Sequence, residues 1–198
     1  MAIELLKAYM GISIQNSMNA GTLDDAWDKA SRLFIAGLRE MNPNKTFYSD
    51  ANSTLRVSYG QVEDYFPADA IHYDYVTTLD GVMEKEDPNN EEFIVPAKLK
   101  ELWLKKDYGR YADKNGKLVT CFLSNNDITG GNSGSPVING YGELIGLAFD
   151  GNWEAMSGDI AFEPALQRTI NVDIRFVLFI IDKYAGARHL VDEMTIHQ

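Results

Sequence analysis

A mainly β domain with flanking helices is the fold class this sequence predicts, and three observations carry it. Apolar residues keep helical spacing only through the first forty positions, the period switches to two after Ser53, and an apolar segment near the carboxy terminus is too long for a strand. Helices first, then at least five short strands, then a closing helix give an antiparallel barrel or sandwich with helices at its ends.

Taken in order, Ile3, Leu6, Met10, Ile14 and Met18 form one helical stripe, and Trp27, Ala30, Phe34, Leu38 and Met41 form a second. Asn19-Ala20-Gly21 separates them. Thr22 with Asp25 resembles a capping box that opens the second helix, and Asn42-Pro43-Asn44 closes it. Leu55, Val57 and Tyr59 alternate with polar residues, as do Ile71, Tyr73, Tyr75, Thr77 and Leu79, so both stretches read as half-buried strands. Pro96 at a first helical position opens a short helix through Lys106. Asn115-Gly116 is a hairpin signal before a strand from Leu118 to Ser124. Strands Ser135 to Ile138 and Glu143 to Phe149 are joined by the turn Asn139-Gly140-Tyr141-Gly142. Val172 to Tyr184, with few charges, reads as a helix buried against the sheet.

The chain has 198 residues, 45% of them hydrophobic, enough for one well-buried domain or a domain with an appendage. Its 29 acidic against 18 basic residues leave a formal charge of -11, which argues against nucleic acid or an anionic membrane as partner. The single cysteine, Cys121, sits in an apolar run and reads as packing. Phe176 to Ile181, the longest strongly apolar run, falls far short of the roughly 20 residues that span a bilayer, so the chain as it stands reads as soluble. No cluster of histidine, cysteine and carboxylate has metal-ligand spacing, so neither a metal nor any other cofactor is expected.

The chemistry-bearing stretch is Gly130-Gly131-Asn132-Ser133-Gly134-Ser135-Pro136. A serine hydroxyl attacks a carbonyl only when a base takes its proton and nearby donors hold the developing oxyanion. Glycines on both sides of Ser133 let the backbone turn its amides to one spot, with Gly131 and Ser133 as the natural oxyanion donors. The plainer reading is a polar hairpin loop, since these residue types dominate turns. A self-contained triad can be drawn from His72 and Asp74, two apart on one strand, with Ser133, although such a pair on a polar strand face is more often solvated. His189 and His197 lie near the carboxy terminus, where exposure is expected.

The nucleophile stretch resembles the Gly-Asp-Ser-Gly-Gly-Pro pattern of chymotrypsin-fold peptidases, with Asn132 for Asp and Ser135 for Gly. Ser49 to Arg56, Asn126 to Pro136 and Phe149-Asp150-Gly151-Asn152-Trp153-Glu154 resemble the bacterial dipeptidyl peptidase 7 and 11 family over nearly the whole chain. That resemblance implies a chymotrypsin-like (trypsin-like serine protease) antiparallel β-barrel preceded by two helices and closed by a C-terminal helix. Residues 1–47 would be the end of an inserted helical domain and 48–198 the second barrel. It also implies periplasmic residence and removal of dipeptides from peptides with a free amino terminus. The family's catalytic histidine and aspartate lie upstream of the region matched. This chain would therefore need the amino-terminal barrel of the same protein as its partner and be inactive alone. A homodimer is allowed but not required by anything in the chain.

For the substrate pocket, the resemblance points to Asp150 as the carboxylate that holds the amino terminus, although Asp-Gly alone is also a common turn dipeptide. Family members that favour acidic residues before the cleaved bond carry Arg at the place of Gly151, so glycine there implies an uncharged wall and a hydrophobic preference. Trp153 and Phe149 could line that pocket, or belong to the core. The remaining alternative is a non-catalytic peptide-binding or structural domain of the same fold.

Overall fold

The computed structural model describes Lys7, residues 25–45, Phe47, and residues 55–158 and 161–197. They fall into two units, residues 1–55 and 56–198. In the first, helix α1 covers residues 25–41. Asn42 ends it: its backbone N–H and its side-chain amide both donate to the Leu38 carbonyl, at 3.1 and 3.0 Å. The expected first helix and the cap at Thr22 lie outside the described residues.

The second unit combines helices with two antiparallel sheets. Strands β1 (Tyr65–Ala68) and β2 (Ile71–Tyr73) form a two-stranded ribbon. Strands β3 (Val76–Thr78), β4 (Val119–Ser124), β5 (Pro136–Ile138), β6 (Leu144–Gly151) and β7 (Thr169–Asp173) form a sheet in the order β3-β4-β7-β6-β5, antiparallel throughout. Among the described residues this sheet is open. Its three-residue edges, β3 and β5, pair only inward, with β4 and β6, so the expected barrel is not closed among these residues.

Helices α2 (Leu79–Glu84), α3 (Ala97–Lys105) and α4 (Ile174–Phe179) pack beside the sheet, and α4 runs on through the wider π-helical turn Ile180–Tyr184 before α5 (Arg188–Asp192). Leu79, Leu99, Tyr111, Leu118, Leu178 and Phe179 are at the heart of their core. Phe179 is completely buried, with Tyr108 edge-on to its ring at 6.0 Å.

Several local expectations are corrected. The stretch read as a strand at Leu55 to Tyr59 takes no regular secondary structure, and its three apolar side chains are exposed. Ser58 Oγ donates to the Asp127 carbonyl at 2.6 Å, and just beyond this stretch the Gln61 N–H donates to Asn125 Oδ1 at 2.8 Å while Val62 makes a single antiparallel bridge with Ser124. The strand read from Ile71 to Leu79 breaks after Tyr73, and Leu79 opens α2 because its side chain is needed in the core. Pro96 is the residue before α3, not within it. Asn115-Gly116 makes a tight turn, with Gly116 at φ 74°, but what precedes it is the short 3-10 turn Gly109–Tyr111 and not a strand. Asn139 to Gly142 does join the hairpin β5–β6, the Asn139 N–H donating to the Glu143 carbonyl at 2.9 Å.

The largest miss is β7, a central strand, because its buried face is polar. Thr169, Asn171 and Asp173 are buried while Ile170 and Val172 are half-buried, the reverse of the usual alternation. Each buried group has a partner: Thr169 Oγ1 donates to the Asn126 carbonyl at 2.7 Å, and Asn171 Nδ2 to Ser124 Oγ at 2.8 Å. Asp173 caps α4, accepting from the Arg175 N–H at 2.8 Å, so the helix begins at Ile174 and not at Val172.

Candidate active site

The loop before β5 is shaped by two glycines and one asparagine. Gly131 and Gly134 have φ of 104° and 82°, a region other residues rarely enter. Between them Asn132 staples the turn. Its N–H donates to the Thr129 carbonyl and its Oδ1 accepts from the Thr129 N–H, both at 3.1 Å, while its carbonyl accepts from Ser135 at 2.9 Å. The loop is then anchored to β6 by Gly134 N–H to the Ala148 carbonyl at 2.7 Å, and Ala148 N–H to the Ser135 carbonyl at 2.9 Å.

With those bonds made, the amides of Gly131 and Ser133 have no acceptor among the described residues. They are the two donors an oxyanion would use. The Ser133 side chain is exposed, and its Oγ donates to the Phe149 carbonyl at 3.1 Å. Phe149 supplies that carbonyl because the β6–β7 register slips there: Ala148 pairs with Asn171 and Asp150 with Ile170, leaving Phe149 as the extra residue of a bulge.

Ser133, Phe149, Asp150 and Gly151 line one pocket of about 270 Å³. Asp150 is exposed, and its Oδ1 accepts from the Gly151 N–H at 2.8 Å, while Oδ2 has no partner among the described residues. A second oxygen thus remains to receive a cation. Trp153 is 82% exposed and does not line the pocket, which corrects the expectation for it.

Under the pocket lies a polar support that the sequence did not announce. Asn152 is buried and fully used: its N–H donates to the Arg168 carbonyl at 2.9 Å, its Oδ1 accepts from the Arg168 N–H at 2.9 Å, and its Nδ2 donates to the Leu166 carbonyl at 2.8 Å. Arg168, only 4% exposed, spends its guanidinium on the carbonyls of Asp64, Pro164 and Gln167 and lies over the Tyr65 ring. Charged residues are expected at the surface, so nothing in the sequence marked Arg168. Asn152, directly after Asp150-Gly151, could have been suspected only from its place.

His72 is not brought to Ser133. It sits on the β1–β2 ribbon, outside the pocket, stacked on Phe66 at 4.5 Å, with Nε2 2.6 Å from Asp64 Oδ2 and no bond to Asp74. His197 Nδ1 lies 3.3 Å from Glu143 Oε1. Cys121 is half-buried beside Thr77 and Thr120, and burial pushes its thiol pKa up. No group of three or more histidine, cysteine or carboxylate side chains gathers at a metal-ligand spacing among the described residues.

Comparison with known proteins adds an independent line. A family model described as Peptidase S46 matches residues 1–196. The chain is 63% identical over 169 residues, 85% of its length, to a dipeptidyl-peptidase 7 of Phocaeicola vulgatus, and 54% identical over 197 residues, 98% of its length, to that of Porphyromonas gingivalis. An Asp/Glu-specific dipeptidyl-peptidase of Porphyromonas gingivalis is also 54% identical, over 87% of the chain. Among solved structures, Porphyromonas endodontalis DPP11 in complex with the dipeptide Arg-Glu superposes with a TM-score of 0.78 at 50% identity, covering 83% of this chain and 24% of that one. The chain spans about a quarter of the length of these relatives, 23% and 27% of the first two.

Proposed function

The chain belongs to the peptidase S46 family, and from that premise we propose that it is the nucleophile-bearing carboxy-terminal part of a serine dipeptidyl peptidase. Ser133 Oγ attacks the carbonyl carbon of the second residue of a peptide, the Gly131 and Ser133 amides hold the oxygen as it becomes negative, and the bond to the third residue then breaks, its nitrogen leaving as the protonated amine. The observation that carries this reading is the exposed Ser133 hydroxyl beside two amides left without acceptors, in the same pocket as Asp150.

Dipeptide removal follows from distance and charge. A free amino terminus two residues before the cleaved bond is a cation, and the unused Asp150 oxygen offers it a charge-assisted hydrogen bond. The neighbouring wall presents Gly151, Phe149 and Met156, and the buried Arg168 has its guanidinium committed to backbone carbonyls and to Glu63. A hydrophobic residue before the cleaved bond suits that wall.

No histidine stands beside Ser133 among the described residues, so the base comes from a part of the protein beyond this chain. We assign that base to a first barrel, and the open sheet described above to the second barrel of a chymotrypsin-like pair. On the family resemblance, residues 1–47 close an inserted helical domain and the protein resides in the periplasm. The test uses the intact enzyme with matched peptides bearing free or acetylated amino termini. Dipeptides should be released only from the free form, and Asp150→Ala should raise KM for it by about tenfold or more while leaving any cleavage of the blocked form unchanged. Equal cleavage of both forms by the unaltered enzyme would reject the reading.

A further inference from the structure

Gly151 differs from the other glycines of the site. Gly131 and Gly134 are needed for their positive φ, whereas Gly151 has no positive φ, so its backbone accepts any side chain. What Gly151 lacks is room. A Cβ placed on it would lie 2.8 Å from the Cβ of Ala155, closer than two carbons tolerate. Ala155 cannot swing away, because its only side-chain atom is fixed to the backbone.

That backbone is itself held. Ala155 lies in the 3-10 turn Trp153–Ser157, its N–H donating to the Asn152 carbonyl at 3.0 Å and its carbonyl accepting from Gly158 at 2.9 Å. Asn152, at the head of the turn, is locked by its bonds to Arg168 and Leu166. Ala155 and Gly151 line the same pocket. The turn therefore presses a methyl group against Gly151, at a point of the wall where an added side chain would face the pocket.

We propose that Ala155 is a second specificity-determining residue, sterically coupled to position 151. With alanine at 155, any side chain at 151 starts from a clash, and the wall stays uncharged. A long side chain at 151 reaches into the pocket only when 155 is shortened to glycine. A preference for acidic residues before the cleaved bond thus takes two changes, one that brings the cation and one that makes space for it. This inference rests on the assignment of Asp150 and Gly151 to the substrate pocket.

The experiment compares the intact enzyme with G151R and with G151R/A155G on dipeptidyl substrates that carry either an acidic or an apolar residue before the cleaved bond. The melting temperatures of G151A, A155G and G151A/A155G are measured alongside. G151R alone should lose activity on apolar substrates with little gain on acidic ones. The double variant should raise the acidic-to-apolar ratio of kcat/KM about tenfold above G151R. G151A should lower the melting temperature by about 2 °C, and A155G in the same molecule should restore part of that loss. If G151R alone shifts the ratio as far as the double variant, Ala155 has no control over specificity and the pocket assignment stands. If melting is coupled but neither arginine variant changes the ratio, the pocket assignment fails and the role of Ala155 fails with it. Additive melting shifts would overturn the steric coupling itself.

Discussion

Around Phe179 the domain is held by apolar packing, with Leu79, Leu99, Leu118 and Leu178 closed over one another between helices and sheet. Around Arg168 it is held by polar groups that are just as deeply buried: Asn152, Gln167, Thr169 and Asn171. The two ends follow different rules. Apolar cores forgive exchanges that keep volume, whereas a buried polar cluster has fixed geometry and is costly whenever one partner goes missing. The pocket sits on the polar end. Fixed hydrogen bonds, not contact area, aim the loop at Ser133 and the wall at Gly151, so the helical end supplies stability and the polar end supplies position.

Substitutions can break that division, and the largest effect should come from the nucleophile. Ser133→Ala in the intact enzyme should lower kcat/KM by about 10⁴-fold or more, with unfolding stability changed by less than about 0.5 kcal/mol. Steady-state kinetics and a denaturant titration check both halves of the statement. At the other end, Phe179→Ala should cost about 3–5 kcal/mol of stability through the cavity it opens, and the molecules that remain folded should keep their kcat/KM. A large kinetic defect in that folded fraction would show that the two ends are not separable.

Asn152→Ala should disturb both properties at once. It leaves the buried Arg168 N–H and the Leu166 carbonyl without their partners, a loss of about 1–3 kcal/mol, and frees the wall that carries Asp150, so KM should rise more than kcat falls. Chemical denaturation and a KM-against-kcat comparison separate this from simple unfolding.

A pH dependence, confined to strongly alkaline conditions, comes last. Tyr111 is buried and donates its O–H to Asp182 Oδ2 at 2.8 Å, and burial together with that bond pushes its pKa from 10.0 up to about 12. The fold therefore favours the protonated phenol. That contribution, roughly 1–3 kcal/mol, is complete below the unfolded value near pH 10 and is lost as pH rises toward about 12. Tyr111→Phe should flatten most of the decline in unfolding free energy over that window. Tyr108 and Tyr65, pushed up by burial, and Lys105, pushed up by its bond to Glu101, add to the decline.

What could be read from the sequence follows the same division. Elements with a local start signal, such as β4 after Asn115-Gly116 and α3 after Pro96, were legible to within a residue or two. The loop around Ser133 was legible because its glycines and asparagine are required by backbone conformation. Strand β7 was not, since Thr169 and Asn171 are buried through partners far along the chain, on residues 126 and 124, and Asp173 through its cap on α4. The support of Asn152 and Arg168 was hidden for the same reason. Most of its partners are backbone groups, which leave no mark in the residue pattern. Gly151 was singled out by likeness to relatives, but the methyl group of Ala155 that restricts it becomes visible only in three dimensions.

The central claim is that Ser133 is the nucleophile, and an active-site fluorophosphonate tests it most directly. Treatment of the intact enzyme followed by peptide mass mapping should place the adduct on Ser133, with labelling abolished in Ser133→Ala and in unfolded protein. An adduct on a different serine, or undiminished labelling of Ser133→Ala, would contradict the account.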